Sequence, residues 1–477
     1  MSLEKIFEGK SVDEAIAALK GGEKQVDVLE LMKDWNPNKH DIHDINLYPE
    51  EKKLKEKASQ RFDDKSGKVI DIPAEYENGP PRNRISVPIE QDIVNLHTAF
   101  TVGIEPTLDC TPEGEEENLF EAIKAVYKRG KLKYKNKKIV RSWLAETEVA
   151  EYWYAEENAS FWGRIKDLVG IKPKLSLKSA IWSPFRGDTL YPTFNDHGDM
   201  IAFSRGYKKR DENDNEYECF MTLDDTYIVE FENKDGWKEV KNTKHGFDKI
   251  PVIYAKRKEA LCSSIKPMRV RLEKLLSSYA DCIDYHFFPL LMLFGDVEGF
   301  LGKGANRAVN LEGEGADAKY LVWQQAPDTV KLEIENLIDL MYSMTQTPRI
   351  TFDNLKGIGA TSGVAFKFMF MAAHMAVENH AEEIGEFFQR RLNFITSALG
   401  TINTRFKSAS ESIDINTEIV PYMIDNLDDK VTTAVKAVEG GIWSRREGIL
   451  FAGNIDRIDE ELKEIEEQTE DAETPSE

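Results

Sequence analysis

The chain has 477 residues, of which 41% are hydrophobic and 31% charged, and its formal net charge is −22. This length accommodates two or three domains with a sizeable core, and the composition is that of a globular protein. The negative charge excludes a protein that grips nucleic acid over its whole surface, but it is compatible with a wall past which nucleic acid slides.

Motifs for membrane insertion, metal binding and catalysis are missing from the sequence. No run approaches the roughly 18 apolar residues needed to span a bilayer, so we expect no membrane partner. The sequence has no Walker A lysine motif, no G-x-S-x-G and no H-E-x-x-H, so we expect no enzyme, no cofactor and no metal. The cysteines are scattered without C-x-x-C spacing, at Cys110, Cys219, Cys262 and Cys282.

The first 262 residues divide into three parts. Residues 1–80 are predicted to form peripheral helices, at 12–19, 27–35 and 50–62. An amphipathic helix then carries the apolar face Ile89, Ile93, Leu96 and Phe100. Residues 115–157 are predicted to be helical, and 128–141 are strongly basic. That stretch is either a nucleic-acid patch or a solvated helix end, and we favour the helix end.

The hydrophobic period changes to alternation over 174–254, with turn residues between short runs. This predicts a β-rich insertion of antiparallel meander type. Its four expected strands are 174–182, 200–208, 216–223 and 226–231.

Two helices with heptad spacing follow. The first, within 263–289, carries an apolar seam at Ile265, Met268, Leu272, Leu275, Tyr279, Cys282 and His286. The second, within 328–346, carries a seam at Val330, Ile334, Leu337, Met341 and Met344. Between them, the glycine-rich residues 290–327 are predicted to form a small αβ or β element at the far end of a helical hairpin.

A loop of small residues follows Pro348, which ends the second helix. The loop leads into one long helix over 363–400, with Ser362 as its N-cap and Gly400 as its stop. Its glycines superficially suggest a dinucleotide site, but that reading requires a βαβ unit, which the surrounding pattern lacks. A weak strand at 413–419, helices at 428–439 and 445–451 and an acidic tail complete the chain.

The order of these features resembles that of tailed-bacteriophage portal proteins, particularly those of long-tailed phages. The matching segments are Asn83-Arg-Ile-Ser-Val-Pro, His245-Gly-Phe-Asp-Lys-Ile-Pro, the helix from Ser263, Ala360-Thr-Ser-Gly-Val-Ala-Phe-Lys and Gly440-Gly-Ile-Trp-Ser-Arg-Arg-Glu-Gly. Together they cover roughly residues 80 to 470.

The resemblance implies an α+β, mainly helical subunit with a wing, a two-helix stem, a small αβ clip, a long wing helix and a short helical crown. The implied boundaries are N-terminal helices 1–80, wing 81–262, stem helix 263–289, clip 290–327, second stem helix 328–346, tunnel loop 347–362, long wing helix 363–400, return strand 401–420, crown 421–470 and disordered acidic tail 471–477.

The resemblance also implies a non-enzymatic virion protein that is assembled in the host cytoplasm. It would form a ring, usually of twelve subunits, at one capsid vertex. Double-stranded DNA would pass through the ring during packaging and ejection. Terminase, the major capsid protein and a head–tail adaptor would be its partners.

Two sets of residues are the candidate sites. The tunnel loop would present Arg349, Asn354, Lys356, Gly357, Gly359, Thr361 and Ser362 to DNA. The stem would turn charged residues towards the channel, with Lys266, Glu273, Lys331, Glu335 and Asp339 as candidates.

Two alternative hypotheses remain open. The chain could be another helical virion or scaffold protein. Images of the assembled protein that show no central channel would favour this alternative. It could also be a nucleotide-dependent enzyme that uses the glycines between 357 and 363, which nucleotide binding in a thermal-shift screen would favour.

Overall fold

The computed structural model describes residues 8–21, 27–50, 52–56, 59–63, 68–72, 75–78, 81–157, 175–286, 290–301, 308–321, 327–350, 363–422, 427–453 and 462–465. Helices hold more of the described residues than strands do. The predicted α+β, mainly helical class is therefore confirmed. The acidic tail 471–477 lies outside the described residues.

Two of the three predicted N-terminal helices are present. Helix α1 spans Val12–Lys20 and begins with a capping box between Ser11 and Glu14. Helix α2 spans Val28–Trp35, and the Asp27 carboxylate accepts hydrogen bonds from its first-turn amides.

The third predicted helix, at 50–62, is wrong, because this part of the chain forms strands β1 (Lys52–Glu56) and β2 (Ser59–Asp63). They pair antiparallel with β4 (Glu75–Asn78) and β3 (Lys68–Ile72), respectively. Lys and Glu favour helices locally. The β-branched residues at 69–72 supply a partner strand that overrides this preference.

Three helices form the next layer: α3 (Ile89–Val102), α4 (Glu115–Gly130) and α5 (Leu132–Glu146). The predicted helical run to 157 is wrong beyond Glu146. Thr147 adopts a left-handed conformation with φ 72°, and strand β5 (Glu148–Glu157) follows it. The aromatic and β-branched residues after Thr147 suit a pleated surface better than a helix.

Two antiparallel sheets follow. The three-stranded sheet has the order β12–β5–β6, and the five-stranded meander has the order β11–β10–β9–β8–β7. All four predicted strands are confirmed, and β5, β7, β11 and β12 are additional. The strands are β5 (Glu148–Glu157), β6 (Leu175–Trp182), β7 (Thr189–Phe194), β8 (Met200–Arg210), β9 (Glu216–Leu223), β10 (Tyr227–Asn233), β11 (Trp237–Lys244) and β12 (Val252–Lys256).

The meander is covered on both sides. Trp182, Phe203 and Tyr254 belong to a core shared by the two sheets. On the other side of the meander, Ile16 and Leu19 of α1 pack against a cluster that includes Phe220. The N-terminal helix thus closes the β-rich part of the wing segment.

A helical hairpin comes next. Helix α6 spans Lys266–His286 and helix α7 spans Pro327–Met344, close to the two predicted heptad helices. Between them, β13 (Leu290–Leu301) and β14 (Ala308–Leu321) form an antiparallel pair. The described part of this element is therefore all β, without the helix of a small αβ unit.

The longest element is α8, Gly363–Ile402. Its buried Arg391 pairs with Glu151 of β5 at 2.6 Å and donates to Asn136 of α5. This packs the long helix against the sheet and the helical layer. Gly400 does not end the helix. A Cβ there would come within 2.2 Å of Ser410 Oγ, so the glycine allows the following helix to approach closely.

The remaining elements are short: α9 (Lys407–Ser412), α10 (Leu427–Glu439) and α11 (Arg445–Ala452). The two helices expected after residue 421 are thus present. The strand predicted at 413–419 is reduced to one bridge, between Asn416 and Asp109.

Candidate functional site

Helix α7 has a buried face that holds it to the protein. Met341 is fully buried, and Ile334 and Ile338 pack against the main core. Across the hairpin, Arg271 of α6 lies 2.7 Å from Glu333 of α7. Because this ion pair is about half exposed, it contributes little stability.

A charged stripe runs along a second face of α7. Lys331, Glu335 and Asp339 recur every four residues, and their side chains are 73%, 49% and 60% exposed. Arg349, the first residue of the candidate tunnel-loop set, pairs with Asp339. The structure therefore brings four of the predicted site residues together at one surface.

An apolar stripe lies beside the charged stripe. Leu332, Leu340 and Met344 are 57%, 51% and 54% exposed, and their spacing of eight and four residues places them on one side of α7. Met371 and Met375 form a similar exposed pair on α8. Single exposed apolar residues need no explanation, but an ordered row of them is typical of an interface.

The structure places Lys266 and Glu273 elsewhere. The Glu273 carboxylate is only 1% exposed and accepts a hydrogen bond from the Val87 amide at 2.9 Å. Lys266 Nζ lies 2.7 Å from Glu30 and 2.8 Å from Asp34. Neither side chain joins the charged stripe. Glu273 is buried inside the subunit, so its expected channel-facing position is wrong for the subunit structure.

Glu273 instead belongs to a buried ionic network at the root of α6. Arg269, fully buried, contacts Asp34 at 2.7 Å, Glu90 at 2.6 Å and Glu273 at 3.5 Å. The two ring nitrogens of His40 face the Glu273 carboxylate at 2.5 Å and the Asp34 carbonyl at 2.8 Å. The His40 ring therefore bridges the carboxyl group of α6 and the backbone of α2.

Burial raises the pKa of Glu90 to about 7, although the neighbouring Arg269 charge opposes the shift. The network joins α6 to α2, α3 and the turn at His40. It therefore fixes the direction in which the helical hairpin leaves the rest of the subunit.

A second buried group anchors the start of the candidate tunnel loop. His97 Nδ1 of α3 lies 3.1 Å from His380 Nε2 of α8, and His97 Nε2 lies 2.9 Å from the Thr347 hydroxyl. Burial lowers the pKa of His97 to about 4 and that of His380 to about 3. Because one nitrogen of the facing pair must accept, both rings cannot be charged in this arrangement. The loop thus leaves from a fixed base.

The rest of the predicted tunnel loop lies outside the described residues. This applies to Asn354, Lys356, Gly357, Gly359, Thr361 and Ser362. Their role stays a prediction, and only Arg349 of that set has a described position.

Sequence reasoning missed the apolar stripe and both buried groups. The stripe had a visible signal, because Leu332 and Leu340 lie outside the heptad seam of α7 and yet are apolar. The buried groups left no signal in the local sequence pattern, because their members are far apart in the chain. His40 and Glu273, for example, are separated by 233 positions.

A comparison with known protein families identifies the class of protein that contains this helical hairpin and loop. The family described as "Phage portal protein, SPP1 Gp6-like" matches residues 19–475. The chain belongs to this family. Portal proteins are structural, non-enzymatic components of the phage virion, connecting head to tail and taking part in genome packaging. A search of curated protein sequences finds no match.

Two further features of this portal subunit bear on its partners. Among the described residues, no helix has the length and apolar character required to cross a membrane. Within the same described ranges, no three His, Cys, Asp or Glu side chains gather into a possible metal site.

Proposed function

We propose that this portal subunit assembles into a closed ring, usually of twelve copies, around a channel for double-stranded DNA. The observation that carries this proposal is the pair of adjacent exposed stripes on α7, one apolar and one charged. In a ring, each helical hairpin packs on its neighbour through the apolar stripe, and the charged stripe remains free for the channel.

The hairpin is suited to a ring because it is held firmly at its root. The buried Arg269 network fixes α6, and the buried Met341 with Ile334 and Ile338 holds α7 against the core. A rigid pair of helices keeps one angle to its neighbours, which a closed rotational assembly requires. Met371 and Met375 of α8 supply further apolar surface for the same contact between copies.

The charges of the channel face suit passage better than binding. The stripe on α7 has one cation and two carboxylates, in a chain with a net charge of −22. Such a wall repels the phosphate backbone weakly. The tunnel loop adds Arg349 and Lys356 as phosphate contacts. Arg349 must break its ion pair with Asp339 before it can bind a phosphate. Each contact with DNA is therefore weak and reversible.

The two ends of the subunit provide docking sites in this proposal. The β13–β14 pair lies between the two hairpin helices and forms the clip that meets terminase and later the head–tail adaptor. The surrounding wing contacts the major capsid protein, and α10 and α11 form a short crown.

Deletion of residues 354–361 tests the role of the loop. We expect the variant to form rings like those of the unaltered protein, because Thr347 and His97 fix the base of the loop outside the deletion. In phage particles that carry the variant, we expect few DNA-filled heads. Imaging of purified rings and measurement of packaged DNA distinguish the outcomes. Normal packaging would refute the DNA-facing role, and dissociated rings would show that the loop is structural.

A further inference from the structure

A cavity of about 550 Å³ opens at the turn between α4 and α5. This volume lies within the range of ligand-binding clefts. Its wall includes the aromatic ring of Tyr127 and the apolar side chain of Leu108. Four lysines surround it, at Lys124, Lys128, Lys131 and Lys133.

The positive charge of this basic cavity is largely uncompensated. Lys124 lies 3.0 Å from Glu121 on the same helix. Lys128, Lys131 and Lys133 are exposed and form no ion pair with any side chain in the described ranges. Lys131 adopts a left-handed conformation with φ 52°, which breaks the helix between α4 and α5 and brings lysines from both helices to one opening. In a chain with a charge of −22, such a site attracts an anionic group.

The shape of the cavity favours a polypeptide over duplex DNA. A DNA duplex touches a surface mainly through phosphates along its outside, whereas this cavity is concave and has an aromatic and apolar wall. Glu105 also lines it and would face the phosphates of a duplex. An acidic peptide places carboxylates at the lysines and its uncharged atoms against Tyr127 and Leu108.

We propose that the occupant is the C-terminal segment 466–477, from the same subunit or from a neighbouring copy. The segment has no Lys or Arg, and it has six acidic residues: Glu466, Glu467, Glu470, Asp471, Glu473 and Glu477. The opposite charges of this segment and the cavity rim are the main argument for the pairing.

The path of the chain supports this pairing. The segment before α10 runs beside the cavity wall, because the Thr107 amide donates to the Glu418 carbonyl and the Tyr422 amide donates to the Phe100 carbonyl. Gly448 of α11 packs against Val438 of α10, so α11 runs back along α10. Twelve residues, fully extended, span roughly 40 Å.

A peptide-binding experiment on the full-length chain tests the proposal and does not depend on DNA passage. In one variant, the tail carboxylates at 466–473 are replaced by the matching amides, which frees the cavity. We expect a fluorescent peptide of residues 466–477 to bind this variant about tenfold more tightly than the unaltered protein, whose own tail competes. Anisotropy measures the affinity, which should fall in high salt.

Two lysine variants on that background locate the site. Lys128→Gln with Lys133→Gln should weaken peptide binding about tenfold, because two cations of the rim are lost. Lys138→Gln is the matched control, since Lys138 is exposed on the same helix and does not line the cavity. Equal melting temperatures of the variants exclude unfolding as the cause.

Three results would overturn the proposal. The peptide could fail to bind the tail-neutralised protein. It could bind equally well with and without Lys128 and Lys133. A labelled DNA duplex could instead bind in a manner that depends on those two lysines while the peptide does not, which would make the cavity a nucleic-acid site.

Discussion

Buried charged side chains at the root of α6 carry a stability cost that only their mutual pairing offsets. Isolated charges at these positions would be strongly disfavoured, because burial removes their hydration. The Glu273 carboxyl group lies 2.5 Å from the His40 ring and 3.5 Å from the Arg269 guanidinium. The removal of one member therefore leaves the others buried and unpaired.

We expect Glu273→Ala to lower the free energy of unfolding by about 3–5 kcal/mol, since it strands Arg269 and His40. Urea unfolding monitored by circular dichroism measures this change. The control is Glu335→Ala, an exposed carboxylate on α7, which should change stability by less than about 0.5 kcal/mol. A loss no larger than that of the control would contradict the described network.

The histidine pair at the base of the loop predicts a pH dependence. In the folded protein the pKa values of His97 and His380 lie near 4 and 3, well below the ordinary value of 6.5. Between these values and 6.5 the unfolded chain binds more protons. The contribution of the pair to stability therefore falls as the pH drops below 6.5, by up to about 1.4 kcal/mol per pH unit for each histidine, whereas the raised pKa of Glu90 contributes with the opposite sign.

The double variant His97→Gln/His380→Gln removes these two titrations. We expect its stability to decrease less steeply between pH 6.5 and 4.5 than that of the unaltered protein. Unfolding curves at several pH values provide the comparison. Equally steep curves would show that the two histidines do not remain neutral in the fold.

Such residue-scale features could not be predicted from the sequence. His97 and His380 are 283 positions apart, and the Arg391–Glu151 pair spans 240. Only the packing of distant elements brings these residues together. In contrast, the local cap of α1, with Ser11 and Glu14 three apart, is set by adjacent residues.

At the scale of elements, α7 is the helix that carries exposed apolar side chains suited to a contact with a second protein surface. Asn336 lies between Leu332 and Leu340 on the exposed side, and Leu332, Leu340 and Met344 are left in water in the isolated subunit. Exposed apolar rows reduce solubility unless they are covered. Coverage by a second copy of the chain is what the proposed ring provides.

We expect Leu340→Glu with Met344→Glu to prevent ring formation while leaving the subunit folded. Each substitution places a charge where a neighbouring copy should pack, yet both positions are already solvent-exposed in the subunit. Sedimentation velocity measures the assembly state. Lys331→Glu, on the charged stripe of the same helix, is the control and should still assemble. Rings formed by the double variant would refute the interface.

The elements that the sequence predicted best are those with the most regular hydrophobic spacing. The heptad spacing of α6 and α7 and the uninterrupted length of α8 were readable because each pattern persists over several turns. The errors fell at 50–62 and at 148–157, where short segments with mixed propensity became strands. Their partner strands lie elsewhere in the chain, so local preference did not decide the outcome.

At the scale of the whole molecule, the chain is a member of the phage portal protein family. The order of hairpin, loop and long helix was readable from the sequence and led to the portal family. The number of subunits in the proposed ring depends on contacts between copies. Contacts between copies leave no repeating hydrophobic pattern in the sequence, so the sequence does not predict them.

A nucleotide site at the glycines between 357 and 363 can be tested directly. A thermal-shift screen with nucleotides should give no stabilisation if these glycines belong to a loop that contacts DNA. A nucleotide-dependent increase in melting temperature would contradict that role of the loop.

Electron-microscopy class averages of the purified, concentrated protein test the central claim most directly. We predict closed rings with rotational symmetry and a central channel wide enough for duplex DNA, with α7 of each copy packed on the next. A protein that stays monomeric at high concentration, or that assembles without a central channel, would contradict the proposed DNA conduit.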